Sequence, residues 1–187
     1  DLVARRAAAG DAFAGEDFRG IDLSSLDLAG IDFSRANFSG VDLKHADLGK
    51  AMLQNAVLTN ADLTGANLAA SRLVKADLAG ADLSSAVLTD AVLDDAGLRR
   101  VLLTDANAAG AAFAGADLAG AHLGRSNLAG CVFTAAVLDD ANLAEAALGG
   151  ADLANARLTN ADLSDADLSR AGLAGADLAG ACLQGAD

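Results

Sequence analysis

The chain is 187 residues long, 53% apolar, without Trp or Tyr, and carries a formal charge of −13. That acidic balance opposes direct nucleic-acid binding, no run approaches the roughly 18 unbroken apolar residues of a membrane span, and no signal peptide is visible. Its two cysteines are too few for a disulfide framework, so a reducing compartment is compatible.

Residues 1–10 predict a short N-terminal helical cap. Asp1 is placed to cap a helix running from Leu2 to Ala9, and Gly10 to end it. Alone this helix is too short to persist; lying across the next segment, Leu2 and Val3 can cover its apolar end.

From residue 11 to residue 187 the chain keeps a period of five. Stepping by five from Phe13 to Leu183 gives 35 central positions: 28 Leu, all six Phe of the chain, and Ala108. Two residues before each centre, from Ala46 onward, stands Ala, with Ser71, Val101, Ser126 and Cys131 as departures. The residue between is Asp or Asn in 19 of the 35 units. A helix would turn successive Leu residues by about 140°, and a flat strand would send them to opposite faces, so neither element gathers them on one side. Ala and Leu two apart do share a face of a short extended segment. The three outward positions hold Asp, Asn, Ser, Thr and Gly, the residues that make corners. A short side followed by a corner, repeated, closes an all-β polygonal solenoid with Ala and Leu inside.

Units such as Ala61-Asp62-Leu63-Thr64-Gly65, Ala81-Asp82-Leu83-Ser84-Ser85 and Ala151-Asp152-Leu153-Ala154-Asn155 resemble the pentapeptide repeat family, and the resemblance runs from residue 11 to residue 187. It implies a right-handed quadrilateral β-helix with four units per coil, hence about nine coils. At the ~4.8 Å strand spacing, such a rod is roughly 42 Å long.

Along that rod, the early units carry large inward residues (Ile21, Leu26, Ile31, Val41), expected as a bulkier interior beneath the cap. Asp22, Asp42, Asp62 and Asp82 fall on one column, and Asp27 and Asp47, continued by Asn67, on the next. Each Asp is expected to accept hydrogen bonds in its own turn. The functional readings are an acidic interaction face or a cation held along the ladder. Between Val87 and Leu102 the outward column positions lose their carboxylates (Val87, Val92, Gly97, Leu102). Val92, Ala112 and Val132 then form an apolar column, with Val57 and Val137 on an adjacent face; Val87, Val92, Leu102, Val132 and Val137 are the candidate apolar interface. Ala108 replaces a core Leu, and Phe113 on the next side is expected to fill the space. Cys131 points inward and Cys182 outward on a different face, which excludes a bond between them. The pattern stops at Asp187 in mid-unit and the only Met is Met52, so a segment of a longer protein is expected.

No Ser-His-acid grouping, phosphate-binding glycine loop or Cys/His metal spacing appears, and His45 and His122 lie outward in different coils. The expectation is no catalysis, no cofactor and no metal. The preferred reading is a scaffold or protein-interaction module within a larger bacterial protein, cytoplasmic or exported with a secretion-associated parent. The resemblance also implies an alternative: a DNA mimic that binds a type II topoisomerase and protects it from quinolones. Duplex DNA carries roughly 25 charges over the rod's length, against a net 13 here. The unbroken register also leaves no room for the projecting loop of such mimics. An end-to-end homodimer through the C-terminal coil is a separate expectation, since an open β edge invites pairing.

Overall fold

The computed structural model describes Val3 and residues 13–187. Thirty parallel bridges run from Asp17↔Asn37 to Asp162↔Cys182, and each joins a residue to the one twenty positions on. One coil is therefore four five-residue units, one unit to each side of a square. The sides are too short for extended strands: each contributes a single bridged residue, then a two-residue turn.

The backbone donors of one unit show why five residues suffice. In the unit Ala61 to Gly65, the Ala61 N–H donates to Leu58 O across the corner (3.0 Å). The Asp62 N–H reaches the preceding coil at Val41 O (3.0 Å), while Leu63 and Gly65 donate to the following coil at Asp82 O (2.7 Å) and Ser84 O (3.0 Å). Only the Thr64 N–H is left, and the Asp62 carboxylate accepts it at 3.1 Å. Buried and half-buried backbone donors need partners. Where Asp or Asn stands ahead of the Leu, its side chain can supply the one acceptor that the ladder does not, as Asp62 and Asp82 do.

Each corner turns through a left-handed residue. All 35 corner positions, Gly15 to Gly185 in steps of five, have positive φ; 14 are Gly and 21 are not. Positive φ at the third residue is the requirement of a type II turn. Non-Gly residues are strained there, by about 1–2 kcal/mol for an L-residue, and the closed ladder on both sides holds them in place.

Inside, the core is one continuous column of Leu, Phe and Ala, nearly all fully buried from Phe33 to Ala166. Full burial of each Leu or Phe is worth roughly 1.5–3 kcal/mol. The twenty-residue register stacks like on like: Phe18 lies flat on Phe38 (centroids 4.8 Å, 5°) and Phe113 on Phe133 (5.0 Å, 7°). Ser71 and Ser126 take inward Ala positions and donate their hydroxyls to Leu68 O and Leu123 O.

The expected helical cap over residues 1–10 lies outside the described residues except for Val3, which is helical, buried and part of the core. The early bulky residues are only partly interior. Val41 is buried, Leu26 and Ile31 are half-buried, and Ile21 is 39% exposed. Against Ala108 the structure places Cys131, whose thiol donates to Ala108 O at 3.0 Å. Phe113 is engaged in its stack with Phe133.

Candidate interaction faces

The bridges sort the outward residues into four sides. The first runs from Asp32 through Arg72, Val92 and Val132 to Gly172, and the second from Asp17 through Val57 and Val137 to Asp177. The third runs from Asp22 through Asp82, Leu102 and His122 to Cys182, and the fourth from Asp27 through Val87 and Asn127 to Asp167.

Asp22, Asp42, Asp62 and Asp82 are bridged in succession on the third side, as the sequence predicts. Each uses Oδ1 to accept the N–H two residues on, at 2.9–3.1 Å. Asp27 and Asp47 do the same on the fourth side, and Asn67 donates its amide to Asp47 Oδ1 at 2.8 Å. The ladder is also partly neutralised. Lys44 Nζ stands 2.9 Å from Asp62 and 3.7 Å from Asp42, and the Asp62 carboxylate, then the charges of Asp42 and Asp62, raise the lysine's pKa. At Asp22 the Ser24 side chain, then its backbone N–H, hold the carboxyl below its usual range. Among the described residues no three His, Cys, Asp or Glu side chains converge so as to hold a metal ion.

The five candidate apolar residues do not form one patch. Val87 lies on the fourth side, Val92 and Val132 on the first, Val137 on the second, and Leu102 on the third directly above Asp82. Only Val92 and Val132 belong together, joined through Ala112. Val87 and Val132 are the most exposed of the set, at 36% and 37%.

Surface concavities are shallow corner notches. One of about 450 Å³ forms where Ala79 and Gly80 lie between the larger corners Thr59-Asn60 and Arg99-Arg100. His45 sits at a corner and His122 on the third side, both exposed. Among the described residues no helix is long and apolar enough to cross a membrane.

Sequence reasoning missed the cations. Arg19, Lys44, Arg99, Arg125 and Arg157 form ion pairs with Asp17, Asp42 and Asp62, Asp117, Asp105 and Asp139 respectively. Among the described residues Arg35, Lys50, Arg72, Lys75, Arg100 and Arg170 form none and are exposed. The first four gather on the lower part of the first side and its two corners, while Arg170 stands at a corner of that side far along the rod and Arg100 between the second and third sides. Writing the sequence in rows of twenty brings those four together; reading it in line leaves them up to forty residues apart.

Comparison with known proteins places the repeat in a family. A family model described as Pentapeptide repeats matches eight overlapping stretches that together span residues 17–187. The chain is similar to HetL, a pentapeptide repeat protein involved in heterocyst differentiation regulation from the cyanobacterium Nostoc sp. strain PCC 7120. The two are 34% identical over 99% of this chain and 92% of that one, with a TM-score of 0.42. It is also similar in structure to a trypsin-treated form of QnrB1, a plasmid-mediated fluoroquinolone resistance protein: 19% identity, 94% and 88% coverage, TM-score 0.57. Rfr23 of the cyanobacterium Cyanothece 51142 aligns over 98% of this chain and 92% of its own at 21% identity, with a TM-score of 0.29. No protein of curated function matches significantly.

Proposed function

Because the chain belongs to the pentapeptide repeat family, whose fold is a right-handed quadrilateral β-helix, we propose that it is a non-catalytic rod of about nine coils that docks or spaces other proteins. The observation that carries this is the uniform register. Thirty bridges at a constant separation of twenty fix every outward side chain in a row on one of four sides, the kind of preformed surface that repeat proteins use for binding. The acidic columns serve the turns first, so their charge is a by-product of folding that a partner with basic groups can still use. A setting within a larger bacterial protein belongs to the same proposal, as does end-to-end pairing through the coil of Leu173, Leu178 and Leu183, whose inward residues are half-exposed or exposed.

The alternative, a mimic of duplex DNA acting on a type II topoisomerase, draws on the acidic third side. Lys44 across that ladder and the four cations low on the first side weigh against it. A gyrase supercoiling assay with the purified chain tests the choice. No inhibition and no protection from a quinolone at low micromolar protein is expected; either effect overturns the scaffold reading.

A further inference from the structure

The first side carries a charge pattern unlike that of the other three. In its lower coils lie Arg35, Lys50, Arg72 and Lys75, exposed and without an ion pair among the described residues, with Asp32 beside Arg35 as the one carboxylate among them. The coil immediately above carries Asp90, Asp94 and Asp95 on the same side and its corners. The two coils beyond hold only small uncharged residues there, such as Ala112 and Val132.

From this pattern we infer that the first side is the contact surface for a second copy of the chain, laid face to face and antiparallel. A two-fold axis lying in the contact plane, between the coil of Arg72 and the coil of Val92, reverses the order of coils and keeps positions across the side in register. It sets Lys75 opposite Asp95 of the other copy, and Arg72 opposite Val92 and between Asp90 and Asp94. Lys50 then meets Gly110, over which the Asp90 carboxylate leans: a Cβ on that glycine would stand 2.7 Å from Asp90 Oδ1. Every contact occurs twice, as an isologous interface requires. The parallel arrangement sets each coil against its own equivalent, cation on cation and carboxylate on carboxylate, so charge selects the antiparallel one. A duplex nucleic acid has no positive group to meet the three aspartates that adjoin the cations. The second copy supplies both signs at the right separation.

The contact is small. Six opposed rows, from that of Asp32 to that of Val132, at ~4.8 Å, on a side and its corners roughly 15 Å across, give about 430 Å² per copy. Roughly 860 Å² in total lies below the size of stable specific interfaces and suits a transient one. The dimer is therefore weak, reversible and dependent on salt.

Sedimentation equilibrium tests this over a range up to about 1 mM protein, at about 20 mM and about 500 mM salt. The mass should rise from 18.4 kDa toward twice that value at low salt and return to the monomer's at high salt. The variants Arg72→Glu/Lys75→Glu and Asp90→Lys/Asp95→Lys, each checked for fold by circular dichroism, should each weaken association at least about tenfold. An equimolar mixture of the two should restore it, because each copy then offers the signs that the other lacks. A wild-type chain that stays monomeric overturns the proposal. So does a dimer that survives both reversals, which would point to the end coils, or a mixture that fails to recover. A short DNA duplex bound by the wild type and released by Arg72→Glu/Lys75→Glu would assign the cations to nucleic acid instead and overturn it as well.

Discussion

His45 lies over Gly65, one coil further on, so closely that a Cβ on Gly65 would stand 2.5 Å from His45 Nδ1. Asn60 covers Gly80 in the same way, and Asn155 covers Gly175, each at 2.6 Å. A side chain on a left-handed corner leans onto the corner above it. A glycine in that place answers two demands, positive φ and room.

Replacing Gly65 by Ala should therefore cost more than replacing Gly130. Both have φ near +66, but nothing stands within 4 Å of a Cβ at Gly130. Gly130→Ala carries only the left-handed strain of about 1 kcal/mol, while Gly65→Ala must also displace the imidazole. Urea midpoints of the two variants decide it, and equal shifts would show that the stacking carries no weight.

The opposite substitution should stabilise. Ala70 and Ala135 have φ of 56° and 57°, and Ala has no polar side chain to hydrogen-bond locally. Ala135→Gly relieves the strain but loosens the unfolded chain, for a net gain of up to about 1 kcal/mol. A lowered melting temperature would refute the strain assignment.

Asp82 accepts the Ser84 N–H at 2.9 Å. Asn offers the same acceptor, so Asp82→Asn should leave stability within a few tenths of a kcal/mol, whereas Asp82→Ala removes a hydrogen bond worth about 1 kcal/mol. Thermal unfolding of the pair separates the roles: equal losses would mean that the charge, not the acceptor, matters.

Acid should act through the same turns. Asp162 accepts both the Ser164 hydroxyl at 2.7 Å and its N–H at 3.0 Å. The hydroxyl first, then the N–H, lower its pKa from 3.8. A depressed folded pKa gives stability that is present above the unfolded value and is lost as pH falls through the folded one. The Ser-assisted turns of Asp22, Asp32 and Asp167 share this direction. Between about pH 4 and pH 2 the urea midpoint should fall, and Asp162→Asn should flatten that fall. Relief of repulsion among the remaining carboxylates works against it, so a flat wild-type profile alongside an unchanged variant would reject the contribution.

The thiols should differ sharply. Burial pushes Cys131 up to about 12, and its Sγ is bonded to Ala108 O, while Cys182 is exposed. A thiolate-specific reagent should titrate one cysteine in the native chain and both in denaturant. Modification of Cys131 under native conditions would contradict its place in the core.

Inside and outside were legible in the sequence because a period of five leaves one consistent way to bury Leu and Ala. The turn role of Asp62 and its equivalents was legible too, since a residue before a corner that is so often Asp or Asn points to an acceptor. The aspartate column and the Val92-Ala112-Val132 column were legible as well, but the cations were not grouped across coils. Val87, Val92 and Leu102 are neighbours in line, yet each step of five moves a residue to another side, so their shared lack of charge did not make a patch. Arg35, Lys50, Arg72 and Lys75 are distant in line but occupy one side. The contact between the Cys131 thiol and the Ala108 carbonyl, 23 residues apart, was likewise invisible in linear order.

Four units close one coil, and this gives insertions an unusual grammar. Adding or deleting twenty residues lengthens or shortens the rod by one storey and leaves the pattern above in place. Adding five keeps every Leu inside but rotates the rest of the rod by a quarter turn, so a column of aspartates would be carried round to a neighbouring wall. Such a chain can reassign which of its walls face the same way without touching its interior, and its surface can diverge by slippage as readily as by point change.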